Sequence, residues 1–227
     1  MQETALNLIA IGVFVMTLTC LLGPILNIPP TIPAVATLGI MGLATIDTLS
    51  WQNRGITLLL DALASKEHRQ RVIRHEAGHF LAAYFLSIPI AGYTLTAWEA
   101  FQQKQMGSGG VIFDTEVLSQ QIDPKEMPLI IERLSTVWMA GIAAETLFYD
   151  NVQGAEDDLQ KIRTIFMSAG IASQQFPQKE NWAKLQATNL IKKYQESYDA
   201  LVEAMAVRAS VEECYQAIQQ HLNSSEE

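Results

Sequence analysis

The sequence predicts a mainly α-helical chain: an N-terminal transmembrane hairpin, followed by a helical domain that carries a small β-hairpin or sheet. Three observations lead there. No charged residue lies between Glu3 and Asp47, a run more than twice the roughly 20 apolar residues that a span requires. From Arg54 onward charged and apolar residues mix, with the apolar ones at helical spacing over long stretches. Two short segments on either side of Gly107-Ser108-Gly109-Gly110 read as strands.

The uncharged run is interrupted by Gly23-Pro24, Pro29-Pro30 and Pro33. Proline removes an amide donor and breaks a helix. Two spans are therefore expected, about 5–22 and 33–51, joined by a short turn. Thr37, Thr45 and Asp47 dilute the second span, and a re-entrant or interfacial segment is its alternative. Ala34-Val35-Ala36 imitates a signal-peptide cleavage site, but the chain begins Met-Gln-Glu with no positive n-region, so an uncleaved anchor is expected. Arg54, Lys66, Arg69, Arg71 and Arg74 follow the second span, while no positive charge precedes Arg54. Positive flanks stay cytoplasmic, which puts the domain on that side with either one span or two.

At 227 residues the chain has room for one anchor and one domain. The anchor is expected over 1–53, the domain over 54–222 and a polar tail over 223–227. Ile56 to Leu63 either lies along the membrane interface or packs on the domain. Helices are expected over about 66–86, 124–148, 156–173, 179–208 and 211–222. Asp123, Pro124 and Glu126 form a helix-start pattern, as do Ser210 and Glu213. Tyr93 to Trp98 alternates as a strand, and Val111-Ile112-Phe113 forms its partner.

Several functions are disfavoured. A net charge of −9 argues against nucleic-acid binding. No Gly-x-x-x-x-Gly-Lys-Ser/Thr pattern occurs, and the Gly-rich turn precedes a strand, so no nucleotide site is expected. Cys20 and Cys214 stand at opposite ends of the chain and form no disulfide framework.

The chemistry concentrates in His75-Glu76-Ala77-Gly78-His79. Residues i and i+4 share a helix face about 6 Å apart along the axis. Two imidazoles at that spacing can bind one zinc ion. Glu76, beside the first of them, can take the proton of a water the ion activates and later hand it to a leaving amine. Ala77 and Gly78 are small enough for another element to approach. A catalytic zinc takes a third protein ligand. His68 and His221 read as surface residues, and spacing leaves Glu145, Glu156, Asp157 and Asp158 all open.

These residues resemble the zinc-peptidase domain of the FtsH-type membrane AAA proteases. Arg74-His75-Glu76-Ala77-Gly78-His79 matches that family's zinc motif. Ala140-Gly141-Ile142-Ala143-Ala144-Glu145-Thr146 is similar to its Gly-Gly-Arg-x-Ala-Glu-Glu helix, and Gln153-Gly154-Ala155-Glu156-Asp157-Asp158-Leu159 to its Thr-Gly-Ala-x-Asn-Asp-Leu segment. The resemblance covers about residues 66–208. It implies Zn²⁺ held by His75, His79 and Asp158, with Glu76 as catalytic base. It also implies an edge strand, Gly110, Val111 and Ile112, that pairs with an extended substrate. Ile142 and Thr146 stand where the family has Arg and Glu, which implies loss of an ion pair there.

The family's ATPase motor has no counterpart in this sequence, since about two dozen residues separate the membrane run from the metal motif. Short relatives without the motor occur notably in photosynthetic lineages. The expected function is therefore a membrane-anchored zinc endopeptidase, ATP-independent by itself, that hydrolyses unfolded or membrane polypeptides on the cytoplasmic side, or the stromal side of a plastid. The alternative is a non-proteolytic scaffold or regulatory partner of full-length AAA membrane proteases. Another zinc hydrolase on a helical scaffold is also compatible with the motif.

Overall fold

The structure is a computed structural model that describes residues 2–50, 54–103, 109–114 and 126–223. It is mainly helical with one two-stranded antiparallel sheet. The chain divides into two compact units, one formed by Met1–Ser65 with Thr96–Ser108 and the other by Lys66–Leu95 with Gly109–Glu227.

In the first unit, α1 (Gln2–Leu22) and α2 (Thr31–Ser50) are apolar. At 1.5 Å per residue each runs roughly 30 Å, about the hydrocarbon thickness of a bilayer. The turn between them falls at Gly23–Asn27 and the Pro29-Pro30 pair, where the sequence lacks amide donors. Pro33 lies in the first turn of α2, where a missing N–H costs nothing. Val35, Leu38, Ile40, Leu43 and Leu49 are exposed on α2. None of the apolar window of α2 is buried, which points to membrane association. The predicted end of that span, Trp51, lies outside the described residues. α3 (Arg54–Ala62) and α5 (Ala97–Gln102) complete this unit and pack on each other.

The second unit is built on α4 (Lys66–Phe85) and α6 (Met127–Phe148). Their crossing is tight: a Cβ at Gly78 would come within 2.5 Å of the Ala140 carbonyl oxygen. Phe80, Leu81, Val137, Ala140, Ala143 and Ala144 fill the contact between the two helices. α7 (Ala155–Ser168) and α8 (Phe176–Lys193) flank α6 through a smaller cluster of Met139, Ile142, Ile162, Phe166 and Phe176. α9 (Gln195–Ala206) and α10 (Val211–Asn223) pack together and extend the main core with Tyr198, Leu201, Met205 and Ile218. α6 also has the length and composition of a span, but over half of that window is buried in this core, so it is a core helix.

Three expectations change. The strand expected over 93–98 lies instead at β1 (Ile90–Thr94), and α5 begins at Ala97 because the Thr96 hydroxyl accepts the Glu99 N–H at 3.1 Å. The helix expected over 156–173 stops at Ser168. Gly170 takes the left-handed conformation with φ 71°, and the Ile171 N–H returns to the Phe166 carbonyl at 2.9 Å. The helix expected over 179–208 breaks at Tyr194, where φ is −116° and ψ 41° while the ring stacks on Phe85 with centroids 3.9 Å apart. The pairing of Ser210 with Glu213 is present: the Glu213 carboxylate accepts the Ser210 N–H at 2.7 Å, and the Ser210 hydroxyl accepts the Glu213 N–H at 3.3 Å. Asp123 and Pro124, expected to start the 124–148 helix, lie outside the described residues.

β1 pairs antiparallel with β2 (Gly110–Phe113), Tyr93 opposite Val111 and Thr94 opposite Gly110. Gly107 and Ser108 of the Gly-rich turn lie outside the described residues. Gly109 enters β2 with φ 109°, and a Cβ there would lie 2.7 Å from the Thr94 hydroxyl, so both backbone and space call for glycine.

Candidate metal centre

His75, Glu76 and His79 lie in the buried middle of α4. The i, i+4 spacing turns both imidazoles to one side, as the motif predicts. Asp158, in the first turn of α7, meets them there. His75 Nε2 is 3.0 Å from Asp158 Oδ2, His79 Nε2 is 3.1 Å from the same oxygen, and the two Nε2 atoms are 3.0 Å apart. All three side chains are buried.

The far side of each ring fixes its proton. His79 Nδ1 lies 2.7 Å from the Val137 carbonyl oxygen, which can only accept, so Nδ1 carries the hydrogen. His75 Nδ1 lies 2.8 Å from Glu145 Oε1 and donates to it in the same way. In the neutral rings both Nε2 atoms therefore present lone pairs to one another and to a carboxylate oxygen. Three acceptors at such distances repel unless a cation or a proton stands among them. Two imidazole nitrogens and one carboxylate oxygen converging in this way could hold a metal ion, and three protein ligands are the number that leaves a position open for chemistry.

The same geometry governs the titration. Burial alone would lower the His75 pKa, but hydrogen bonds to Asp158 and Glu145, with the nearby Glu76 and Asp158 charges, raise it to about 10. Burial would raise the Asp158 carboxyl, and the two histidines hold it far below its usual range instead. Both shifts favour positive charge between the two imidazoles and the carboxylates.

Glu145 is one of the four acids that spacing alone leaves open. It is not among the three converging atoms; it supports one of them. Its carboxylate accepts from His75 Nδ1, from the Gln153 N–H at 2.8 Å and from the Gly154 N–H at 3.0 Å, with Arg71 Nη1 at 3.5 Å. These bonds outweigh burial and lower its pKa. Arg71 is itself held by the Asn151 side chain at 2.7 Å and lies over the Tyr149 ring. No local pattern marks these supporting residues, because they are spread from 71 to 154. Gly141 and Gly154 complete the set by being small: a Cβ on either would come within 2.4 Å and 2.7 Å of the His75 ring. Ile142, at the position where the resemblance implied a lost arginine, is packed in the apolar cluster of α6, α7 and α8. An outer carboxylate that orients a metal-binding histidine is typically worth about 10–100-fold in metal affinity. Glu145→Gln is expected to weaken metal binding by that order, read by competition with a chromogenic chelator, while helicity is retained.

Glu76 is buried beside the triad, and Val111 donates its N–H to Glu76 Oε2 at 3.0 Å. The three residues expected to bind substrate all lie on β2. Val111 directs its N–H to Glu76, the Gly110 N–H is taken by the Thr94 hydroxyl at 3.1 Å, and Ile112 stands opposite Gly92. His221 bonds the Ala217 carbonyl within its own helix, and Glu156 and Asp157 are exposed; none of these, nor His68, joins the metal group.

Compared with known proteins, the chain matches no family model and no curated protein.

Proposed function

We propose that this chain is a membrane-anchored zinc metallopeptidase acting on unfolded or membrane polypeptides, independent of ATP by itself. The observation that carries the reading is the convergence of His75, His79 and Asp158 with a buried glutamate alongside. His75, His79 and Asp158 would hold the ion, and two imidazoles with one carboxylate suit zinc. A bound zinc ion supplies a Lewis acid that polarises water and the scissile carbonyl.

The remaining work belongs to the protein. Glu145 keeps the His75 ring oriented with Nε2 toward His79 and Asp158, where the ion would be held. Glu76 takes the proton of the attacking water and returns it to the leaving amine as the peptide bond breaks. The Val111 N–H fixes one Glu76 oxygen, leaving the other for that proton. An extended substrate segment lies along β2 at Gly110, Val111 and Ile112 with little dependence on sequence, while the Gly110 and Val111 N–H groups stay on Thr94 and Glu76. The run of positive charge after α2 favours a domain on the cytoplasmic side, or the stromal side in a plastid.

The full chain, purified in detergent and loaded with zinc, is expected to cleave a reduced and alkylated polypeptide. A chelator should stop the reaction and added zinc restore it. Intact substrate after prolonged incubation with the metal-loaded protein would overturn the reading.

A further inference from the structure

The first unit carries, beyond the apolar hairpin, two short helices with apolar outer faces. On α3 the exposed residues Ile56 and Leu59, with Leu63 just past its end, recur at i, i+3 and i+7, while Leu60 is buried. This is the stripe of an amphipathic helix turned outward. On α5 the pattern repeats: Ala97 and Ala100 are buried, whereas Trp98 and Phe101 are exposed with their rings stacked at 5.8 Å.

Carboxylates pin α3 to the apolar hairpin and α5 to α3. Asp47 is the one charged residue of α2, a turn before its end. Its two oxygens accept the Gly55 N–H at 2.7 Å and the Ile56 N–H at 2.9 Å, capping α3. The approach is so close that a Cβ at Gly55 would lie 2.8 Å from Asp47 Oδ1. At the other end of α3, Asp61 accepts the Ala97 N–H at 3.0 Å and so fastens α5. The sequence thus fixes an amphipathic helix at the depth where α2 runs out of apolar residues, and it hangs a Trp–Phe pair on that helix.

We propose that α3 and α5 form a second, interfacial contact with the bilayer that α2 crosses, with Trp98 and Phe101 seated at the boundary between headgroups and acyl chains. The proposal rests on reading α1 and α2 as spans, not on the metal chemistry. Lipid is the occupant because the exposed apolar face is continuous with the end of a span through the Asp47 caps. A short helix with an outward apolar stripe beside a span, and a tryptophan at its edge, is the composition of an interfacial segment. α5 lies in the chain segment between β1 and β2.

The test uses the full chain reconstituted in phosphatidylcholine vesicles, with Trp98 as the single tryptophan (Trp51→Phe, Trp138→Phe, Trp182→Phe). Lipid brominated near the carbonyl end of its acyl chains is expected to quench Trp98 emission about twofold, with aqueous acrylamide quenching it weakly. A parallel chain retaining only the exposed Trp182 should show the reverse. Trp98 reached freely by acrylamide overturns the proposal. So does Trp98 shielded from acrylamide yet untouched by brominated lipid, since a protein partner would then cover it. If the triple replacement does not fold, a spin label at Phe101→Cys in the Cys20→Ala background gives the same decision: oxygen collisions exceeding those of a water-soluble nickel chelate support it, and the opposite ratio overturns it. A chain that fails to float with vesicles overturns the spans and the proposal together, whereas a floating chain with Trp98 in water overturns the proposal alone.

Discussion

Glu76→Gln is expected to abolish peptide cleavage while leaving one metal ion per chain. A positioned general base contributes about 10²–10⁴ in rate, so kcat should fall by about that factor, or roughly 3–5 kcal/mol of transition-state stabilisation. The fold should tolerate the change. Glu76 accepts the Val111 N–H at 3.0 Å, and a glutamine carbonyl of the same length can accept it too. The metal should stay because Glu76 is not among the three converging ligands. Metal content by mass spectrometry of the native protein, thermal unfolding and cleavage of the unfolded substrate together check the result. Full cleavage by the variant would remove Glu76 from the mechanism. Loss of cleavage with an unchanged cellular phenotype would favour the scaffold or regulatory role beside AAA membrane proteases.

The parts of this molecule visible in the sequence are those set by local pattern. An uncharged run broken by Gly23-Pro24 and Pro29-Pro30 specifies two apolar helices with a turn, because proline and glycine act within a few residues. His75-Glu76-x-x-His79 places two rings on one face because helical geometry alone does so. Ser210 and Glu213 mark a helix start for the same reason. Where the outcome depends on residues distant in sequence, pattern fails. Tyr93 to Trp98 alternates, yet Thr96 caps a helix that Asp61 fastens from 36 positions away. Tyr194 ends a helix with no proline or glycine nearby, and its ring lies on Phe85 of α4. Nothing near Glu145 says that it supports His75, since its partners come from α4 and from the loop after α6. Asp158 is one of several acidic candidates by spacing, and only a family resemblance singles it out. In the structure its neighbour Asp157 is exposed, while Asp158 itself is 3 % exposed and touches both histidines.

That contrast makes the last and sharpest expectation a paired one. Asp158→Asn keeps size and shape but removes the charge opposite two imidazoles. An outer-shell partner alone is worth about 10–100-fold in metal affinity, so loss of a ligand's charge should exceed ~100-fold. The purified variant should carry less than stoichiometric metal and show no cleavage. Asp157→Asn, one residue away on the exposed side of α7, should keep both metal and activity within about twofold, as surface changes away from special features usually do. Titration of each metal-free variant with zinc in the presence of a competing chelator gives the affinities, and helicity by circular dichroism shows that both have folded. The comparison cancels any general effect of lowering negative charge at the N-terminus of α7, because both acids lie in its first turn. Equal zinc affinity in the two variants would sink Asp158 as a ligand.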